Sequence, residues 1–376
     1  MQTTTCIKLL PSEEQRTALL SLMAEMAAMR TMLARFCAVE RCTNRQQLHH
    51  LAYYDMRELF PSVGSQMTCI AIREVAAAHK TQLALGNISK KKAFPVLQWS
   101  SKGSVAFDAR TMRYDDFGNV SLYTQRGRTL VPMVVGSWQK DALAQGAARE
   151  AKVVCKRGRW YLHVSVQREK TKLSKSKIVM GVDVGESNIA ATSTNKILGG
   201  KQLRHERERH LALRSRLQSQ GTKSAKQRLV TVSGRENRHV RHVNHVTSKA
   251  LVAEAIKSGA GTIAMEDLTH IRDRIRMGKR MRGRLHRWAW RQLQTFVEYK
   301  AGLAGLRVIY VDPAYTSQTC SRCLCLGGRG TGKHRSRFVC ACGNRQHADA
   351  NAARNISRLP GVITSGTGHV TVPNVA

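Results

Sequence analysis

The chain has 376 residues, and 62 Lys and Arg against 25 Asp and Glu give it a formal net charge of +37. A hydrophobic share of 42% is enough for a real core, which argues against a disordered chain, and the length suits two or three domains. No stretch approaches the ~18–20 uninterrupted apolar residues of a membrane span, the first ten residues lack the apolar run of a secretory signal, and the excess positive charge points to nucleic acid, whose counterions are released on binding.

Residues 2–10 alternate like a strand, and Ser12, after Pro11, N-caps a helix with apolar residues at helical spacing over 18–39. Two more helical patterns cover 46–60 and 65–86, so the first 90 residues are mostly a small helical unit. From residue 94 the pattern changes to short β segments at 104–107, 119–123, 129–135, 152–155 and 159–166, which predict a small barrel or sandwich. The polar stretch 167–177 reads as a linker. Beyond it lie a buried-type strand at 178–185, a basic helical stretch at 201–257 broken near Gly221 and Gly234, and a second buried strand at 262–266. A helix to residue 303, a strand at 306–311, a cysteine cluster, a short helix at 348–356 and a frayed tail at 361–376 complete the chain.

Of the ten cysteines, Cys6, Cys37, Cys42, Cys69 and Cys155 are scattered, whereas Cys320, Cys323, Cys325, Cys340 and Cys342 crowd together. That pattern reads as a reducing compartment and a metal site. Cys320-x2-Cys323 and Cys340-x-Cys342 each bring two thiolates to a turn, and facing turns close a tetrahedral, structural zinc site, with Cys325 as a spare thiol that leaves the ligand set open by one. Asp183 lies within an apolar strand, Glu266 ends another, and Asp349 opens a helix of small residues. Acids in such settings need a cation, and three that converged could hold two hard divalent ions for phosphodiester hydrolysis; each could instead cap a helix or pair with a basic residue.

Two runs are unbalanced in charge: residues 201–249 carry thirteen Lys and Arg against three acids, and residues 272–291 nine against one. Solvated helix faces usually balance their signs, so these runs favour phosphate contacts. In the second run Arg272, Arg274, Arg276, Lys279, Arg280, Arg282, Arg284 and Arg287 are the candidate nucleic-acid contacts. Trp288 and Trp290 read as core residues ahead of base-stacking ones, and His205, His210, His239, His242 and His245 as a basic surface ahead of a metal site.

Gly181-Val-Asp183-Val-Gly-Glu-Ser-Asn-Ile-Ala-Ala-Thr-Ser193 resembles the first RuvC motif, Ala264-Met-Glu266-Asp-Leu the second, and His347-Ala-Asp349-Ala-Asn-Ala-Ala-Arg-Asn-Ile356 the third. Between the last two, Val311-Asp-Pro-Ala-Tyr-Thr-Ser-Gln-Thr-Cys-Ser-Arg-Cys323 is similar to the entry of the zinc ribbon in TnpB proteins, the transposon-encoded RNA-guided nucleases related to type V CRISPR effectors. The likeness runs from about residue 2 to 358, loosely in the N-terminal half. The resemblance implies an α/β multidomain fold: an RNase H-like RuvC domain with a zinc ribbon, plus an N-terminal wedge β-barrel carrying an inserted helical recognition lobe. Its divisions fall at 1–10 and 94–172 for the wedge, 11–93 for the lobe, 173–316 and 346–360 for the nuclease, 317–345 for the ribbon, and 361–376 for a flexible tail.

By the same resemblance, Asp183, Glu266 and Asp349 hold two Mg²⁺ ions, one structural Zn²⁺ sits in the ribbon, and the partners are a guide RNA from the transposon end and target double-stranded DNA. The chain would act on DNA in the cytoplasm, with a monomer favoured and no membrane partner. Related guided repressors lose acids of the trio, and this chain retains all three. A compact type V CRISPR nuclease, a guided repressor that does not cut and a guide-free resolvase are the alternatives. Two departures stand out: Cys340-x-Cys342 replaces the commoner Cys-x2-Cys, and Leu324 occupies a position where glycine often follows the second cysteine.

Overall fold

The computed structural model describes residues 2–87, 94–115, 118–144, 147–167, 171–269, 289–312, 315–329 and 336–359. The chain divides into two units, Met1–Glu169 and Lys170–Ala376.

The first unit opens with β1 (Gln2–Leu9) and α1 (Glu13–Glu40). The Ser12 hydroxyl accepts the Gln15 N–H at 3.3 Å while the Gln15 side chain accepts the Ser12 N–H at 2.8 Å, a reciprocal cap that satisfies two otherwise unpaired donors. Helices α2 (Arg45–Leu59) and α3 (Ser65–Ala84) follow. Then come β2 (Val105–Asp108), β3 (Met112–Tyr114), β4 (Asn119–Thr124), β5 (Gly127–Val134), the short α4 (Ser137–Ala144), β6 (Ala147–Lys156) and β7 (Arg159–Gln167). By length and mean hydropathy, 1.2, α1 could cross a membrane. It is a core helix: Leu22, Met26, Met29 and Leu33 are buried, and the Arg30 guanidinium lies 2.6 Å from Glu74, which offsets the cost of burying that charge.

The seven strands run in the order β2-β6-β7-β1-β5-β4-β3. A flat sheet would separate its outer strands by about 29 Å, six spacings of ~4.8 Å. Yet β2 and β3 are joined by residues 109–111 alone, and four Cα steps reach at most about 15 Å. The sheet must therefore curl until its two edges approach, the barrel-like form that the short strands predict. Met26 and Met29 of α1, Ile72 of α3, and Phe107, Leu122 and Leu162 of the sheet belong to one buried cluster, so the helices inserted between β1 and β2 share the sheet's core.

The second unit contains β8 (Val179–Asp183), β9 (Asn188–Thr192), β10 (Ile197–Gly199), α5 (Lys201–Gln220), α6 (Lys223–Lys257) and β11 (Thr262–Glu266). After them come α7 (Trp290–Leu303), β12 (Arg307–Val311), β13 (Gly328–Arg329), β14 (Arg337–Val339), β15 (Arg345–His347) and α8 (Ala348–Arg358). Five strands form a sheet in the order β10-β9-β8-β11-β12, with β8, β11 and β12 mutually parallel and β9 antiparallel to β8. The remaining three form a separate small antiparallel sheet, β13-β14-β15.

Two expectations change here. Residues 171–177 are no free linker: Ser174 N–H donates to Gly305 O at 2.8 Å and Ser176 Oγ to Gly259 O at 2.6 Å. A Cβ at Gly261 or Gly305 would fall 2.1 Å from Ser176 O or 2.4 Å from Lys172 O, so glycine is what lets this polar segment dock. The basic helical stretch breaks at Gly221, left-handed with φ 65°, but passes straight through Gly234. A mid-helix glycine costs only about 1 kcal/mol, and Val232, Glu236 and Val240 bury one side of α6 around it. Trp290 is 5% exposed in the core of this unit, as expected. Trp288, the candidate contacts from Arg272 to Arg287, and the tail 361–376 lie outside the described residues.

Helix α8 packs on the middle of the sheet at Gly181, where a Cβ would lie 2.0 Å from Ala353 O and 2.5 Å from Ser357 N. Both atoms are backbone and cannot step aside. Gly181→Ala should therefore destabilise the second unit by about 3 kcal/mol, read as an earlier denaturant midpoint; an unchanged midpoint would mean that α8 can shift outward at no cost.

Candidate active site and metal centre

The four sulfurs of Cys320, Cys323, Cys340 and Cys342 all lie within 4.8 Å of one another. The Cys320–Cys342 and Cys323–Cys340 pairs are 3.7 and 3.5 Å apart, close to the edge of about 3.8 Å of a tetrahedron with 2.3 Å zinc–sulfur bonds. Two tight turns make the site. Cys320 N–H donates to Cys325 O at 2.8 Å and Cys340 N–H to Asn344 O at 3.0 Å. Leu324 takes the left-handed conformation that glycine would favour, φ 64°, and Gly343 takes it in the second turn, φ 83°. The tighter Cys-x-Cys spacing is thus accommodated, and Cys325 stays exposed outside the four-sulfur group.

Burial raises the Cys320 thiol, but hydrogen bonds from the Asn344 side chain and the Cys323 and Arg322 backbone outweigh it and bring the pKa down to about 6. At Cys340 a backbone hydrogen bond from Cys342 favours the thiolate, yet the neighbouring thiols and burial win and push the pKa up to about 12. Four thiols this close cannot all ionise without a cation between them, and four thiolates leave no open position for water. The donor set fits a structural zinc.

The carboxylates are gathered by the larger sheet. Strands β8 and β11 pair in parallel with Gly181 opposite Ala264 and Val182 opposite Met265, which puts Asp183 and Glu266 at the next rung. In-register residues of parallel strands share a face, so both acids leave the carboxyl end of the sheet on the face of Gly181 and Ala264. That is the face α8 covers: its backbone meets Gly181 and its Ile356 packs with Ala264. Asp349 lies one turn before Ala353 on α8, and Asn188, across the β8–β9 turn from Asp183, donates to its Oδ2 at 2.8 Å. The carboxyl ends of β8 and β11, where neighbouring connections depart in opposite directions, are where open sheets bind ligands.

Glu266 and Asp349 are 9% and 6% exposed, and Asp183 is half-buried. Among the described residues only the cysteine group has ligand atoms all within 4.8 Å, so the carboxylates share an end of the sheet without such close contact. Burial raises the Glu266 pKa, the Thr316 hydroxyl opposes this by donating to Oε1 at 2.6 Å, and nearby Asp312 raises it again. Thr316, Asn188 and Asp312 are the site residues that the sequence reading missed. Thr316 is 50 positions from Glu266 and Asn188 is 161 from Asp349, and no local pattern reports such pairings.

The ion pairs of the basic run on α5 and α6 include Arg209–Glu206 and Arg214–Glu236, both at 3.3 Å. With thirteen Lys and Arg against three acids over residues 201–249, the run is strongly cationic. His245 stacks on Phe296 at 3.9 Å between ring centroids, and among the described residues no histidine belongs to a metal-binding group. In the first unit a cleft of about 690 Å³ is lined by Asn44, Arg45, His49, His50, Arg73 and Lys80; Arg73 is paired with Glu150 at 2.6 Å, and Arg45 and Lys80 are its other cations.

Residues 290–356 match the family model of the Cas12f1-like TNB domain, a span containing the four cysteines and Asp349. The chain is 35% identical over 224 residues to the CRISPR-associated endodeoxyribonuclease Cas12f1 of Sulfoacidibacillus thermotolerans, covering 54% of this chain and 50% of that one. It is 36% identical over 159 residues to a TnpB-like protein of Methanocaldococcus jannaschii, covering 39% of this chain and 57% of that one. The chain thus spans about half the length of these curated relatives. Among solved structures, the mini-RNA-guided endonuclease CRISPR-Cas phi3 shares the fold with a TM-score of 0.55, at 10% identity over 95% of this chain and 92% of that one.

Two outcomes follow from the geometry. Purified protein should contain one zinc per chain; Cys325→Ser should retain it and Cys342→Ser should lose it, as read by elemental analysis, because Cys325 lies outside the four-sulfur group. Glu266 has a folded pKa above its ordinary value of 4.5, so its contribution to stability is full below that value and lost as pH rises through the folded pKa. Glu266→Gln keeps an acceptor for Thr316 without the charge. In magnesium-free buffer it should melt above the wild type at neutral pH, with the gap closing toward pH 4; a gap independent of pH would mean that Glu266 is not held up.

Proposed function

We propose that this chain, whose sequence is TnpB/Cas12f-like, is an RNA-guided DNA endonuclease that hydrolyses phosphodiester bonds at Asp183, Glu266 and Asp349. The observation that carries the reading is the parallel register of β8 and β11, which sends Asp183 and Glu266 from one end and one face of the sheet, with α8 delivering Asp349 to the same end. On this reading the five-stranded sheet and α8 are an RNase H-like RuvC core. The curled sheet and its inserted helices are the wedge and recognition lobe, and the four-cysteine ribbon binds target nucleic acid.

The donor set suits hard divalent cations. It is all carboxylate oxygen, and Glu266 is a buried acid that gains from a cation when it ionises. Two Mg²⁺ ions held by the three carboxylates would supply an activated water and stabilise the departing 3′ oxygen. The chain's own residues prepare the site. Asn188 fixes Asp349 Oδ2, the Gln294 amide holds the Glu266 main-chain carbonyl at 2.9 Å, and Gly181 lets α8 come close enough to complete the trio.

A guide RNA from the transposon end would select the double-stranded target by base pairing, while the protein reads a short adjacent motif and holds backbones. The backbone contacts fall to the cationic α5–α6 pair, the segment from Arg272 to Arg287, and the cleft around Arg45 and Lys80. The protein would meet its target among cytoplasmic nucleoid DNA.

The test begins with the RNA. Protein purified from cells carrying its own locus should bring down RNA ending at the element's boundary; repeat-derived RNA would move the reading to a compact CRISPR nuclease of the same chemistry. With that guide, wild type should cut a matched plasmid in Mg²⁺. Asp183→Ala should lose cutting to background while retaining the RNA. Cutting that survives in the variant would remove Asp183 from the site, and an intact plasmid with wild type would leave a guided binder that does not cut.

A further inference from the structure

We propose that Thr316 and Asn355 are positioning residues for Glu266, so that the helix bearing Asp349 also orients the second carboxylate. The inference rests on the reading of Glu266 and Asp349 as metal-binding acids.

Thr316 is 4% exposed, and its hydroxyl donates to Glu266 Oε1 at 2.6 Å. A hydroxyl bonded to a carboxylate is a strong, directional contact. The Glu266 main chain is already fixed, by its place in β11 and by the Gln294 amide on its carbonyl at 2.9 Å. The side-chain torsions remain, and the Thr316 hydroxyl is the group placed to choose among them.

Thr316 lies on no helix or strand of its own, so something must hold it. Asn355 Nδ2 donates to Thr316 O at 2.9 Å and to Thr319 O at 2.7 Å. One turn earlier on α8, Asn351 Nδ2 also donates to Thr319 O at 2.7 Å, while its Oδ1 accepts the Ser321 N–H at 2.9 Å. Residues four apart share a helix face. The two asparagines thus staple residues 316–321 to α8 at successive turns, while the turn at Asp349 and Ala353 faces the sheet. One helix therefore carries Asp349 directly and reaches Glu266 through Asn355 and Thr316. The simpler role, satisfying buried carbonyls on the way into the ribbon, is needed anyway, but it gives no reason for the Thr316 hydroxyl to end on a catalytic carboxylate.

The experiment titrates the full-length protein with Mn²⁺, followed by electron paramagnetic resonance. Half-maximal Mg²⁺ for cleavage is measured beside it with the co-purified guide. Zinc content and melting temperature serve as controls of folding. Thr316→Val, which keeps the shape and deletes the hydroxyl, should weaken Mn²⁺ binding and raise the Mg²⁺ requirement about ten-fold, with Thr316→Ser within about two-fold of wild type. Asn355→Ala should weaken Mn²⁺ binding in the same direction, and the double variant should cost no more than Thr316→Val alone, since both act through one hydroxyl.

Unchanged Mn²⁺ binding in Thr316→Val, with Glu266→Ala abolishing it, would overturn the positioning role and leave the metal assignment standing. Additive losses in the double variant would overturn the route through Asn355. If Glu266→Ala binds Mn²⁺ and cuts like wild type, the metal assignment itself is wrong and the inference goes with it.

Discussion

A side chain at residue 181 would place its Cβ 2.0 Å from the Ala353 carbonyl oxygen, so α8 can lie on β8 only because that position is glycine. The helix answers in kind. Ala353, the residue whose backbone meets Gly181, is itself small and fully buried, as are Ala348, Ala350 and Ala352 elsewhere on the helix. A bulkier contact on either side would push α8 outward and carry Asp349 away from the ends of β8 and β11. The packing constraint thus sets where Asp349 sits: a tight helix–strand contact holds it at the end of the sheet from which Asp183 and Glu266 emerge.

The same helix also anchors the ribbon. Among the described residues the ribbon's own buried cluster is Cys320, Phe338, Cys340 and Ala348, and two of these belong to the four-sulfur group. So small a core cannot hold three short strands together, and metal binding makes up the deficit as folding free energy. Ala348, the fourth member, is the first residue of α8 and the neighbour of Asp349. Cohesion supplied at the cysteines is therefore felt one residue from Asp349, so folding of the ribbon and the position of that carboxylate are physically linked.

Much of this was legible in the sequence because it is written in local chemistry. Ser12 announced a helix start, the paired cysteine spacings announced a tetrahedral site, and apolar runs ending in Asp183 and Glu266 announced strand ends carrying acids. What sequence could not show was that Asp183 and Glu266 leave the same end and face of one sheet, since the register of β8 on β11 is set by pairing across about 80 residues. The contacts from Thr316 and Asn188 were hidden for the same reason. Gly234 misled because a helix with a well-buried face tolerates one glycine, and residues 171–177 misled because polarity suggests a solvated linker whereas their backbone docks against glycines far along the chain. The curl of the first sheet was half legible: short strands suggested it, but only the order placing β2 and β3 at opposite edges requires it.

That strand order also bears on how the protein is made. β1 lies inside the first sheet, between β7 and β5, and its residue Leu9 pairs with Trp160, about 150 residues later. At roughly 5–20 residues per second, β1 waits on the order of 8–30 s after synthesis for its main partner. During that interval the apolar faces of α1 and α3 have each other but not the sheet, so the nascent chain is most exposed to aggregation and chaperone capture before residue 167 has left the ribosome. Codon usage or tRNA supply across β6 and β7 would then affect the yield of folded protein more than the same changes made after that point.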